Sequence, residues 1–303
     1  MKSIVHLLCC AVFASACILP GKIYAQSNTV DGFINPAGRT ILSLYNCFEN
    51  YSHVYEGSEL TNVSGGYSVN TSSLFASYSM TNDFEATANI PYVIATGYGS
   101  SAAGFQDLKF HINGRIFNQW IDRVGGISLI ASFGVNNPLS KYNYEERVSI
   151  GQHSVNMDFL GAIHFQNKEG FFTTFTTGYT KRSTPFPDFY SNTFKMGVAT
   201  EKVYVDAFFD AQHSFGGYDL NDPEVKYFLV GQSYSKVGVD GYYRVNDFLG
   251  FNIGAGYTLM GTNVGRAFSL TGGVSWTFGG LPMRSRLTIP ENNPRIINKR
   301  KSI

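Results

Sequence analysis

The stretch from Gly104 to Phe117, in which polar and apolar residues alternate strictly from Asp107 onward, constrains the fold of this chain most. One side of that stretch carries Asp107, Lys109, His111, Asn113 and Arg115. The other side carries Leu108, Phe110, Ile112 and Ile116. A period of two indicates a β-strand, because successive side chains of a strand point to opposite faces of the sheet. Five polar side chains in a row behind an apolar face are typical of a transmembrane barrel strand, which turns one face to lipid and the other to a wet lumen.

The same alternation recurs along the chain and predicts an all-β, antiparallel up-and-down barrel of about twelve strands. The predicted strands are 39–51, 67–80, 84–93, 105–117, 126–135, 153–165, 171–181, 190–199, 203–213, 234–245, 248–259 and 266–278. Short turn-like connections alternate with the longer segments 52–66, 94–104, 136–152, 182–189, 214–233 and 260–265. Outer-membrane barrels pair short periplasmic turns with long outer loops, so this second pattern supports the first.

Composition agrees with a barrel in the outer membrane of a Gram-negative bacterium. Past the N-terminal leader, the chain has no run of about 20 apolar residues, which excludes a transmembrane helix. Aromatic residues make up 15% of the chain and glycines number 32, as interfacial girdles and tight turns require. The formal net charge of +1 argues against a nucleic-acid partner. We expect outer-membrane lipid and the barrel-assembly machinery as partners, with no cofactor and no metal.

Both ends of the chain fall outside the alternating pattern. Residues 1–25 resemble a secretory signal peptide that ends at Ala25, although lipid attachment at Cys17 is an alternative. Residues 26–37 form a short polar lead, which we expect to be too short to plug the barrel of residues 38–278. Residues 279–303 form a basic tail, expected to be disordered in the periplasm or to contact an anionic partner there. After cleavage Cys47 is the single cysteine, so no intramolecular disulfide can form.

The candidate functional residues are the ionisable side chains predicted to face the lumen. They are Glu85, Asp107, Lys109, His111, Arg115, Asp158, Lys195, Asp206, Asp210, Lys236, Asp240 and Arg244. A two-residue turn at positions 200–201 would place Lys195 directly opposite Asp206 and lock two strands in register. The signs are mixed, so neither a cation-selective nor an anion-selective ring is implied. Two interpretations stay open: a polar conduction path, or charge pairs that fill and rigidify a narrow lumen.

Catalysis is not expected. A nucleophilic serine and its histidine base must lie on one face, but His153 and Ser154 are adjacent, as are His213 and Ser214. His111 and His164 fall on strands that are not neighbours in a meander. In the long segment 214–233, the apolar run 227–230 could capture a hydrophobic solute or fold inward as a constriction. Extension of the next strand above the membrane is the simpler alternative.

Four short motifs resemble a family of outer-membrane barrels assigned to transport in phenol meta-cleavage pathways. The stretch from Gly104 to Arg115 resembles that family's G-x-x-D-L pattern followed by an arginine, and Ile90-Pro91-Tyr92 resembles its strand ending. Residues 134–138 (G-V-N-N-P) and 273–278 (G-V-S-W-T-F) are similar to its loop-leading and closing strands. After the strand that ends near residue 135, Asn-Pro-Leu at positions 137–139 stands where the family usually has Pro-Thr-Gly. The resemblance covers roughly residues 66–278 and implies uptake of small, often hydrophobic molecules, with no catalytic residues to carry over.

Together these patterns predict a passive channel or transporter-like barrel for small molecules. The rival hypothesis is a non-conducting barrel with a structural or adhesive role, whose lumen is closed by charge pairs. A membrane-embedded hydrolase is the third.

Overall fold

The computed structural model describes residue 30 and residues 32–122 and 124–279, which form one closed antiparallel barrel. Its strands are β1 (Thr40–Glu56), β2 (Glu59–Ser79), β3 (Phe84–Gly97), β4 (Ser100–Phe105), β5 (Asp107–Ile121), β6 (Gly125–Pro138), β7 (Asn156–Gln166), β8 (Phe171–Arg182), β9 (Phe189–Ala199), β10 (Val203–Ser214), β11 (Ser233–Arg244), β12 (Leu249–Thr262) and β13 (Phe268–Phe278). Segments β4 and β5 are two halves of one strand, since both pair with β3 and only Gln106 separates them. The barrel therefore has twelve strands, as the sequence predicts.

Closure is achieved by the first strand, which pairs with both β2 and β13. Every other strand pairs with its neighbours in the chain, so the topology is up-and-down. Connections 80–83, 122–124, 167–170, 200–202 and 245–248 lie together at one end, called here the short-turn end. The loops 139–155, 183–188, 215–232 and 263–267 lie at the other, the long-loop end. In an outer-membrane barrel the short turns are periplasmic and the long loops face outward.

Two segments predicted as long loops are strand instead. Residues 52–66 and 94–104 belong almost wholly to β1–β2 and to β3–β4, each joined by a two-residue turn. Tyr98 and Gly99 both have positive φ, at 51° and 75°, as the tightest hairpin turns require. The serines, threonines and glycines in these stretches give no clear hydrophobic period, and this explains why the sequence pattern missed them.

The two faces of the barrel are inverted relative to a soluble protein. Large apolar side chains are exposed on the outside, among them Phe110 (42%), Ile112 (42%), Phe133 (46%), Phe159 (51%) and Ile163 (53%). Polar side chains are buried on the inside, among them Asn89, His111, Asn113, Asp158, Thr174, Asp206 and Asp210. A belt of exposed apolar residues around a closed barrel is stable only against lipid. The predicted assignment of faces is confirmed, and the chain is an outer-membrane barrel. In the described part of the chain, no helix has the length and apolarity needed to cross a bilayer.

Candidate functional site: the barrel lumen

Phe33 and Asn35 of the N-terminal lead lie inside the barrel, near the short-turn end. The aromatic ring of Phe33 packs 4.5 Å from the imidazole of His164 and 5.1 Å from the ring of Phe172, centroid to centroid. On the opposite wall, Asn35 Nδ2 donates a hydrogen bond to Glu85 Oε1 at 2.8 Å. The segment therefore crosses the lumen from β7 and β8 to β3. The sequence indicated no role for this lead inside the barrel, yet Phe33 and Asn35 contact opposite walls of the lumen.

Val30 anchors the start of the described segment. It is 3% exposed and packs with Ile130, Leu160 and Ala162, which face inward from β6 and β7. These are apolar positions on a mostly polar wall, and Val30 packs against them. The signal-peptide prediction for residues 1–25 lies outside the described residues, as does the tail prediction for residues 279–303 beyond Gly279.

A hydrogen-bonded network around Asp158 joins four neighbouring strands, β5 to β8. His111 Nε2 lies 3.2 Å from Asp158 Oδ2, and Asn136 Nδ2 donates to the same oxygen at 2.8 Å. Thr180 Oγ1 donates to the other carboxylate oxygen at 2.6 Å. His111 and Asp158 are 3% and 7% exposed, so the interaction is shielded from water. This network links the four neighbouring strands β5 to β8 through buried side-chain hydrogen bonds.

Ser132 adds a third member next to His111 and Asp158. Its Oγ is 3.5 Å from His111 Nδ1, at the outer limit of a hydrogen bond. Ser132, His111 and Asp158 are thus arranged like the nucleophile, the base and the orienting carboxylate of a hydrolase. However, Ser132 is 6% exposed, and Asp158 already accepts hydrogen bonds from two other side chains. The arrangement fits an interior hydrogen-bonded network better than a hydrolytic site, and the sequence could not reveal it because three strands contribute.

A second ionic cluster lies on β10 and β11. The Cα partners across these strands are Asp210 with Lys236 and Asp206 with Asp240. The first pair joins opposite charges, and Thr193 Oγ1 and Tyr234 Oη also donate to the carboxylate of Asp210, at 2.8 and 3.1 Å. The second pair sets two carboxylates against each other. Both aspartates of β10 are 1% exposed. This cluster therefore contains three carboxyl groups and one lysine.

The predicted opposition of Lys195 and Asp206 is wrong. Lys195 pairs with Phe208, and Asp206 pairs with Gly197. Since the last paired residues of the hairpin are Ala199 and Tyr204, residues 200–203 separate them, where the prediction assumed a turn of residues 200–201 alone. The longer turn shifts the register of β9 against β10 by two residues.

The remaining predicted residues line the two rims and the outer half of the wall. Arg115 and Arg244 lie at the short-turn end, where they reach turn aspartates Asp83 and Asp247 at 3.5 and 3.6 Å. Glu85 is buried near the same end and also accepts hydrogen bonds from Ser77 and Ser79, both at 3.0 Å. Asp107 lies at the long-loop end and accepts a hydrogen bond from Tyr142 Oη at 2.8 Å. Lys109, two residues along the same face, is exposed.

Two long loops meet over the outer mouth. Residues 227–229 form a 3-10 turn, and Val230 is 3% exposed with its carbonyl accepting a hydrogen bond from Gln152 Nε2 at 3.3 Å. The simpler alternative, extension of β11 through this run, is therefore wrong, since β11 begins at Ser233. Between loops 183–188 and 215–232 lies an open cleft of about 930 Å³, with apolar walls from Phe186, Phe215 and Leu229. No cluster of three or more metal-ligating side chains occurs among the described residues.

Comparisons with known proteins bear on the fold alone. No family model matches the sequence, and no curated protein matches it. In structure the chain is similar to the COG4313 outer membrane channel from Pseudomonas putida F1, with a TM-score of 0.67 and 12% identity over 84% of this chain and 100% of that chain. It is more distantly similar to the NanC porin, with a TM-score of 0.46 and 9% identity over 78% of this chain and 98% of that chain. The resemblance to phenol meta-cleavage transporters stays a prediction. At this level of identity the likeness supports one conclusion: the chain has the fold of a bacterial outer-membrane channel barrel.

Proposed function

We propose that this chain is a passive outer-membrane channel for small molecules, hydrophobic ones among them. The observation that carries the proposal is the position of Lys109. Its neighbours across the sheet, Asn89 and Asn136, are buried on the inner face, yet the lysine on that same face is exposed. This exposure supports solvent-accessible space inside the outer half of the barrel, next to a charged side chain.

The polar inner wall supports diffusion of solutes, because lumen-facing polar groups replace part of a solute's hydration. The mixed charges at β10 and β11 and at the His111–Asp158 pair do not form a ring of one sign. Selection would therefore depend on the width and the polarity of the path more than on charge. The lead segment around Phe33 and Asn35 narrows the path at the short-turn end, where a solute would leave the barrel.

The non-conducting hypothesis also has a specific observation in its favour. Asp210 and Lys236, of opposite charge, are Cα partners on β10 and β11, and the lead crosses the lumen, so the interior is partly filled. Liposome swelling separates the two hypotheses. We expect purified wild-type protein to admit small uncharged solutes, and a Phe33→Ala/Asn35→Ala variant, whose lead is less firmly held, to admit them faster.

A Lys168→Ala variant provides the matched control, since Lys168 is exposed in a turn outside the lumen. It should swell at the wild-type rate. Liposomes that do not swell with any of the three proteins would support the non-conducting hypothesis instead.

A further inference from the structure

The inner wall has one apolar patch at its long-loop end. The patch consists of inward-facing side chains on β1, β2 and β3, which are Val54, Val63, Tyr67, Val93 and Ala95. All five are at most 8% exposed. Along the same strands toward the short-turn end, the inward positions are polar, as at Ser73, Ser77 and Asn89. A wall built only to conduct water and ions has no need for such a patch.

Residues of the loop 139–155 fill this patch. Val148 and Ile150 are each 4% exposed and belong to the same apolar cluster as the wall residues. The loop therefore bends into the mouth of the barrel and covers apolar surface that would otherwise face the lumen. The two aliphatic side chains of Val148 and Ile150 thus occupy a site that could equally hold the apolar part of a small molecule.

The loop is held in this position mainly by side chains. Arg147 forms an ion pair with Glu56 at the tip of the β1–β2 hairpin, and its guanidinium carbon lies 4.1 Å from the ring centroid of Tyr98. Tyr142 bonds to Asp107 near the other end of the loop. Among the described residues, backbone-to-backbone hydrogen bonds tie the loop to other segments only at its ends, from the Leu139 N–H to the carbonyl of Gln106 and from the Ser183 N–H to the carbonyl of Val155. Between those two points the loop can lift without breaking a β-ladder.

We propose that the loop 139–155 is a gate whose Val148 and Ile150 occupy a solute-binding site on the inner wall, and that the Arg147–Glu56 ion pair latches this gate. The ligand would be an uncharged small molecule with an aliphatic or aromatic body, because the patch is apolar and carries no ionised side chain. When the latch opens, the solute replaces the two loop side chains and is then positioned at the top of the polar lumen. This inference rests on the proposed channel function and names the regulation of its outer mouth.

Benzophenone is a suitable probe, because it is an uncharged aromatic ketone that crosslinks to its binding site when illuminated. Labelled peptides from β2 and β3 would be quantified by mass spectrometry in lipid nanodiscs. We expect Arg147→Glu, which sets like charges together at the latch, to raise labelling at Val63, Tyr67 and Val93 several-fold. Exchange of the two charges in Glu56→Arg/Arg147→Glu should return labelling to the wild-type level.

A covalent crosslink that holds the gate closed should lower the labelling of the patch. A Glu56→Cys/Arg147→Cys variant joined by a bismaleimide should show less labelling of the patch than the same variant before crosslinking. Phe133 faces outward, so its labelling measures benzophenone that reaches the barrel from the lipid. This labelling should be the same in all variants.

Single-channel recordings on the same proteins distinguish the gate from the channel. Suppose that the wild type, Arg147→Glu and the crosslinked Glu56→Cys/Arg147→Cys protein all conduct and all show equal labelling of the patch. That result would contradict the gate and leave the channel proposal intact. Absence of conductance in every variant would remove the channel and the gate together.

Discussion

His111 and Asp158 meet across an intervening strand, with His111 Nε2 3.2 Å from Asp158 Oδ2. The register explains how this is possible. Gly134 of β6 is the Cα partner of His111 on one side and of Asp158 on the other. Because this position has no side chain, the imidazole lies over the glycine and reaches the carboxylate beyond. A Cβ built there would lie 2.3 Å from His111 Cε1.

The first prediction concerns this glycine. Gly134→Ala should displace the imidazole of His111, break its contact with Asp158 and lower the free energy of unfolding by about 1–3 kcal/mol, the usual cost of overpacking. Urea unfolding of the barrel in lipid, followed by tryptophan fluorescence, measures this change. Gly161→Ala is the control, since a Cβ added at Gly161 would have no neighbouring atom within 4 Å. Equal unfolding free energies for the two variants would contradict the argument.

Asp158→Ala should be much more damaging than loss of an exposed aspartate. It leaves His111, Asn136 and Thr180 without their shared acceptor in a buried network, and a buried polar group left without its partner costs about 1–3 kcal/mol. Asp83→Ala removes the partner of Arg115 at the rim, where 55% of the aspartate side chain is exposed, and should cost at most about 1 kcal/mol. The same unfolding assay compares them. Similar losses from both substitutions would show that the buried network is not needed for stability.

Ile112→Arg tests which face meets lipid. Ile112 is 42% exposed on the outer surface, so a cation there would lie in the hydrocarbon region and destabilise the barrel by about 2–4 kcal/mol. Yield of heat-modifiable, folded barrel is the measurement. Lys109→Arg, on the opposite face three residues earlier, should fold normally. If the two variants gave the same folded yield, our assignment of the faces would fail.

Asp188 should make the loop 183–188 sensitive to strong acid. Partial burial raises the pKa of Asp188, but hydrogen bonds from Lys181, Tyr179 and the backbone N–H of Arg182 outweigh it and lower that pKa to about 2. Because the folded-state pKa lies below the usual 3.8, the carboxylate stabilises the loop fully above that pH. This contribution is lost as the pH falls toward about 2.

Pepsin is active in this pH range and cleaves next to phenylalanines such as Phe186. We expect wild-type protein to be cut in the loop only near pH 2, and Asp188→Asn to be cut already at about pH 4, where the wild-type carboxylate is still ionised. Identical pH profiles for the two proteins would show that the carboxylate does not hold the loop.

The sequence predicted the barrel well because the signal is local. Alternation in each strand is set by which side chain meets lipid, so every one of the twelve strands could be located from its own residues. Exposed Phe110 and buried His111 fall on the predicted faces. The extended hairpins at Gly57 and Tyr98 were missed because, above the membrane, neither face of a strand has to be apolar.

The arrangement inside the lumen could not be predicted in the same way. Contacts such as Phe33 with His164, or Arg147 with Glu56, join residues that are far apart in the chain. They depend on strand register and on where a loop folds, and two extra residues in one turn moved Lys195 away from its predicted partner. The role of Gly134 can be recognised only when the strand register is known, because the register places it between His111 and Asp158.

The conductance of purified protein in planar bilayers tests the central claim most directly. We predict stepwise ohmic currents for the wild-type protein. In a salt gradient, the reversal potential of a Lys109→Glu variant should shift toward cation preference, because the substituted side chain lines the conducting lumen. A Lys168→Glu variant changes the same charge in an exposed turn and should leave the reversal potential unchanged. Silent bilayers, or equal reversal potentials in all three proteins, would contradict a conducting lumen past Lys109.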